Sequence, residues 1–121
     1  MKKPIVFLSV LFLIACGPVK LLIPTQTDAD RGATKYTGYT LDELNQGKLI
    51  YEQNCKSCHR LKKPTSFPEK KWSKIVPDMV KKTNKWAAKK PGRKSLNEKE
   101  QETILRYILV MSTAKRAPKA K

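Results

Sequence analysis

The run Cys55-Lys56-Ser57-Cys58-His59 constrains what this 121-residue chain can become more than any other feature in it. Two thiols three positions apart, followed at once by an imidazole, form the attachment signature of a c-type haem. The thiols close thioether bonds to the porphyrin, and the histidine supplies one axial nitrogen to the iron. A chain that holds haem on that motif is a redox protein. Two other uses of Cys-x-x-Cys compete with this one. A thioredoxin-like redox site needs a βαβ setting, and a zinc site needs four ligands. No alternating strand pattern is present, and His59 is the only histidine, so zinc at Cys55, Cys58 and His59 would be one ligand short.

Haem attachment requires export, and the N-terminus addresses that requirement. Met1-Lys2-Lys3 is a short basic start, and residues 5–14 are apolar except for Ser9, too short for an ordinary membrane span. Residues 1–15 are therefore expected to be a signal peptide. Its end, Leu13-Ile14-Ala15-Cys16, resembles a bacterial lipobox, so Cys16 is the expected lipidation site and new N-terminus. The three cysteines are then all assigned, one to lipid and two to haem, with none left for a disulfide. The expected location is extracytoplasmic, lipid-anchored to a bacterial membrane, on the periplasmic side in a Gram-negative cell.

The whole chain has a formal net charge of +16; without residues 1–15 it retains 24 Lys plus Arg against 10 Asp plus Glu, or +14. Such a balance invites a nucleic-acid reading, because clustered cations neutralise phosphates whatever the base sequence. Export opposes it, and no helix-turn-helix, zinc finger or stacking-aromatic pattern accompanies the charge. Steering toward an acidic protein partner is the expected use of the charge. Lys56, Arg60, Lys62 and Lys63 flank the motif and are the expected docking surface. The tail 115–121, Lys-Arg-Ala-Pro-Lys-Ala-Lys, reads as disordered.

From Gly17 to Tyr39 the chain shows no sustained period and carries Pro18, Pro24, Gly32 and Gly38 among many Thr and Asp residues. Residues 16–39 read as a flexible tether, with an end-to-end distance of roughly 25–30 Å. The folded domain is expected over residues 40–114. Thr40 and Glu43 form a capping box, and Leu41, Leu44, Ile50 and Tyr51 recur at helical spacing toward Cys55. Gly47 falls inside that helix at a cost of about 1 kcal/mol, which suggests that another backbone crosses there. Asn97 and Glu100 form a second cap, leading to an apolar face of Ile104, Leu105, Ile108, Leu109 and Met111 in a helix to about Ala114. Between them, Trp72, Ile75, Val76, Met79 and Val80 mark a helix over residues 72–83. Pro77 is expected to kink it or to start a second one. The fold class read from these patterns is all-α.

A helix Gly-x-x-Ile-Tyr-x-x-Asn-Cys entering Cys-x-x-Cys-His, then Pro64, a Trp72-led helix written Trp-x-x-Ile-Val-x-x-Met and a final helix bearing Tyr-Ile-Leu resembles the class I cytochrome c family. The closest likeness is to its small single-haem bacterial members, and it covers about residues 40–114. The resemblance implies three to four helices around one covalently attached haem, the first and last of them crossing near Gly47, and one-electron transfer as the activity. A domain of this size buries little core by itself, and the haem would supply the missing apolar body.

The second axial ligand is less tightly specified. Once Met1 leaves with the signal peptide, Met79 and Met111 remain, and thioether ligation suits an electron carrier. The loop that holds the methionine in larger members of the family, here about residues 84–96, contains none. Met79 follows Pro77 and matches the family pattern, so it is the expected distal ligand; Met111 sits late in the last helix. Both also suit ordinary core packing. The Pro64 carbonyl is considered as an acceptor for the His59 ring N–H, and Trp72 as a packing surface for the haem edge. The expected function is a lipid-anchored single-haem electron carrier without substrate turnover. A five-coordinate gas- or peroxide-binding sensor and a dedicated haem subunit of an oxidoreductase are the alternatives.

Overall fold

Thr40 Oγ1 accepts the Glu43 N–H at 3.2 Å while the Glu43 carboxylate accepts the Thr40 N–H at 3.0 Å, and Asn97 and Glu100 repeat the exchange at 2.9 Å each. These boxes start two of the four α-helices in the computed structural model, which describes residues 17–114: α1 (Gln26–Ala33), α2 (Leu41–Cys55), α3 (Glu69–Ala87) and α4 (Glu98–Ser112). One 3₁₀ turn, Pro64–Ser66, lies between α2 and α3. The described residues contain no strand, in keeping with the all-α expectation. The expected signal segment 1–15, the expected lipidation site Cys16 and the basic tail 115–121 fall outside them. Among the described residues no helix is long and apolar enough to cross a membrane.

The core is the crossing of α2 with α4. Leu44 and Tyr51 of α2 are buried against Ile104, Tyr107, Ile108 and Met111 of α4. Gly47 is the point of closest approach: a Cβ there would stand 2.4 Å from Tyr107 Cβ and 2.8 Å from the Thr103 carbonyl oxygen. The Tyr51 and Tyr107 rings pack beside this point, their centroids 5.9 Å apart. The mid-helix glycine thus gives up helix propensity for backbone proximity.

α3 covers the other side of α4 with Trp72, Val76 and Val80. It runs from Glu69 to Ala87 as one helix with Pro77 inside it, so Pro77 does not start a second helix. Pro77 and Ser73, whose carbonyl loses its i+4 donor, are both exposed.

The structure corrects the reading of residues 17–39 as a tether. Leu21, Ala29 and Tyr39 are buried in the same core as α2 and α4. Helix α1 starts with its own capping box, Thr25 with Asp28. The Asp28 carboxylate accepts from Arg31 Nη2 at 3.0 Å; the same nitrogen donates to the Val110 carbonyl at 2.8 Å, and Arg31 Nε donates to Thr113 Oγ1 at 3.0 Å. The clasp fastens α1 to the end of α4. The segment looks like a linker because α1 buries only small residues, Ala29 and Gly32, beside Asp28 and so leaves no apolar period. A Cβ on Gly32 would lie 2.5 Å from the Tyr39 ring.

Two outcomes follow for stability. Gly47→Ala lowers it by about 1–3 kcal/mol in denaturant unfolding, because the methyl group overpacks the crossing. Helix propensity alone would predict a gain of about 1 kcal/mol. Arg31→Ala costs about 1–3 kcal/mol through lost charge-assisted hydrogen bonds, and limited proteolysis then cuts within residues 17–39 before any other site.

Candidate haem-binding site

Cys55 is the last residue of α2, and the helix delivers its thiol into the core side of the motif, where it is buried. The chain then turns outward, leaving Cys58 and His59 exposed. The two thiols are consequently unlike: burial pushes the Cys55 thiol up to about 11, with Cys58 adding a smaller push in the same direction.

Met79 meets them from α3. Asn54, Cys55, Cys58 and His59 form one wall of a cleft of about 80 Å³, and Met79, Lys82 and Thr83 form the other. Met79 also borders the apolar seam of Tyr51, Cys55, Val76 and Ile104, so it stands between core and cleft. Met111 is buried in the α2–α4 core and takes no part in lining the cleft. Of the two methionines within the described residues, the structure brings Met79 to the motif.

The carbonyl of Arg60 lies 2.8 Å from His59 Nδ1. A proton on Nδ1 donates to that oxygen and leaves Nε2 as a lone-pair donor, the arrangement that orients a metal-binding imidazole. Pro64 does not serve this role, contrary to the sequence expectation. Its carbonyl accepts from the buried Trp72 Nε1 at 2.6 Å. Trp72 is fully buried and stacks edge-on with Phe67, ring centroids 5.3 Å apart, so it belongs to the core. Tyr51 Oη donates to the Lys62 carbonyl at 2.8 Å. The loop after His59 is therefore fastened twice, to α2 at Lys62 and to α3 at Pro64.

Two further fixings lie beyond what sequence reasoning assigned. The Asn84 side chain accepts the Leu96 N–H at 2.7 Å and donates to the Leu96 carbonyl at 3.1 Å, closing the loop between α3 and α4 at its base. From that loop Arg93 packs on the Trp86 ring, 4.1 Å from its centroid, and donates to Ser57 Oγ at 3.0 Å. A cation is thus held against Ser57, one of the two residues between the cysteines. Neither contact leaves a short-range signature, since 12 and 36 residues separate the partners.

The donor set suits a c-type haem: two thiols on one side, an oriented imidazole beside them and a thioether across the gap. The gap itself is narrower than the roughly 300–1,000 Å³ of typical cofactor sites. Admitting a macrocycle requires α3 and the Cys58–His59 turn to part. The exposed turn offers little resistance, because few buried contacts hold Cys58 and His59. A second opening, about 430 Å³, shares His59 and is lined by Gly17, Pro18, Val19, Lys56, Arg60 and Leu61. It is larger but contains neither thiol nor methionine, so the donor chemistry belongs to the narrower cleft.

The charge is divided unevenly over the described residues. Residues 56–95 carry 14 Lys plus Arg and 2 Asp plus Glu, whereas residues 17–55 and 96–114 together carry 6 and 8. Nearly all the surplus positive charge surrounds the motif, α3 and the following loop.

In the chain bearing free thiols, Cys58 is alkylated well before Cys55 at pH 8, read by peptide mass spectrometry after a short iodoacetamide pulse. Cys55 reacts appreciably only as the pH approaches 11 or on unfolding, since the thiolate is the nucleophile. Equal rates at pH 8 would contradict the burial of Cys55.

Compared with known proteins, the chain matches no family model, no curated protein and no solved structure.

Proposed function

We propose that the chain is an extracytoplasmic electron carrier of the cytochrome c type. In this reading Cys55 and Cys58 would hold one haem through thioether bonds, and His59 Nε2 and Met79 Sδ would be the donors to its iron. Lipid on Cys16 ties the domain to a membrane. One observation carries the reading: Cys55, Cys58, His59 and Met79 line a single cleft although Met79 comes from a different helix. When bound, the haem supplies a metal that gains and loses one electron without breaking bonds.

The chain's own residues do the rest. The Arg60 carbonyl fixes the tautomer and plane of His59. Tyr51 and Trp72 hold the loop behind it, and the α2–α4 crossing keeps the end of α2 in place. These contacts hold the loop that follows His59. Met79, on a helix with its neighbours Val76 and Val80 in the core, offers a soft neutral donor that favours the reduced metal. Carriage of electrons rather than substrate turnover is the proposed role.

Partners are proposed to be redox proteins with acidic docking surfaces. The ridge formed by α3 and the next loop presents Lys81, Lys85, Lys89, Lys90 and Lys94 to solvent, with Lys82 at the rim of the cleft. Such a surface speeds encounter with an acidic face and loses that advantage as salt rises.

Purified holoprotein is expected to show one reversible one-electron step and a low-spin visible spectrum. Met79→Ala converts that spectrum to a high-spin form that binds carbon monoxide. It also lowers the reduction potential by at least about 59 mV, a tenfold change in a one-electron equilibrium. An unchanged spectrum in Met79→Ala would remove Met79 from the iron, and a wild type that already binds carbon monoxide would favour a sensor.

A further inference from the structure

The segment that follows Cys16 is fastened at the haem motif. Arg60 Nη2 donates to the Gly17 carbonyl at 2.8 Å, across 43 residues of sequence. Gly17, Pro18 and Val19 form one wall of the opening of about 430 Å³ whose other wall is Lys56, His59, Arg60 and Leu61. Behind this contact Leu21 and Ala29 are buried and Arg31 clasps α1 to α4, so the segment has no slack with which to leave. Residue 16 is one peptide bond from Gly17, about 3.8 Å between α-carbons. The described chain thus begins beside His59.

A free coil of 23 residues would let the domain roam roughly 25–30 Å from its anchor. A fastened one fixes which face meets the membrane. The loop over residues 56–63 carries four cations, Lys56, Arg60, Lys62 and Lys63, and no acid, and all four are exposed. Lys20 is exposed three residues beyond Gly17. Near an anionic bilayer each such charge adds attraction, and the effect fades over a Debye length of about 8–10 Å. That range is short, so only a face held next to the anchor profits from it.

We propose that the lipid-anchored protein lies with Lys20 and the Lys56–Lys63 loop against anionic phospholipid headgroups, His59 side down, leaving the α3 ridge free for the redox partner. The docking role expected of Lys56, Arg60, Lys62 and Lys63 passes in this arrangement to the lysines of α3 and the loop after it. The proposal rests on the lipid-anchor reading of Cys16 and is independent of haem.

The test is amine acylation, read residue by residue by mass spectrometry, on the full lipid-modified protein in phosphatidylglycerol-containing vesicles and after detergent extraction. The expected result is that Lys20, Lys56, Lys62 and Lys63 label roughly fivefold more slowly on the vesicles, while Lys81, Lys85 and Lys89 change by less than about twofold. Protection should fall when phosphatidylcholine replaces the anionic lipid, or at about 0.5 M salt. Protein that stays off the vesicles and in the aqueous phase overturns the lipid-anchor reading together with the proposal. Vesicle-bound protein whose lysines label uniformly, or are protected on α3 instead, overturns the orientation alone. Protection of Lys56 that needs an added acidic redox protein also overturns it.

Discussion

Everything at the site hangs from the close crossing of α2 and α4. With only a hydrogen at position 47, the two backbones meet where Tyr107 and the Thr103 carbonyl fill the space that a side chain would take. That contact sets the tilt of α2 and hence the position of its last residue, Cys55. The tyrosines beside it, Tyr51 and Tyr107, are buried. Burial raises Tyr51 to about 12 and pushes Tyr107 up as well. Tyr51 turns its position to use by donating to the Lys62 carbonyl, so the residue that packs the crossing also restrains the loop carrying His59.

The parts of the fold legible in the sequence are those written at short range. Two capping boxes mark α2 and α4, and Gly47 in the middle of an apolar period announces a crossing helix. The Cys55–His59 run carries its own chemistry in five residues. Met79 could be preferred over Met111 because it follows Pro77 and falls where the resembled family carries its methionine. The N-terminal segment was legible in part: Thr25-x-x-Asp28 is the same capping pattern that marked Thr40, but α1 buries Ala29 and Gly32, whose side chains leave no hydrophobic period. The expectation about the Pro64 carbonyl failed for a different reason. A buried indole N–H must find an acceptor, and Trp72 takes the one that His59 was expected to use.

Long-range polar ties were not legible at all. Arg60 to Gly17, Arg93 to Ser57 and Asn84 to Leu96 join residues with no pattern between them, and each becomes visible only once the helices are placed. They are also what converts a helical scaffold into a site with a defined orientation. Arg60 alone illustrates the point: its backbone orients His59, while its side chain fastens the start of the folded chain to the same place. The separation of charge has the same character. A net charge of +16 describes the whole chain, yet within the described residues the surplus surrounds the motif and α3, and the α1, α2 and α4 side is slightly acidic. A basic protein is thereby a directional one.

The central claim is that Cys55 and Cys58 carry one haem with His59 beside them. Its most direct test is the intact and peptide mass of the protein isolated from an exporting, haem-attaching bacterial host. The account predicts the mass of one haem added covalently, resistant to acid-acetone extraction and confined to the peptide containing Cys55, Cys58 and His59. Free thiols at Cys55 and Cys58, or a disulfide between them, in protein that has been exported and folded would contradict it.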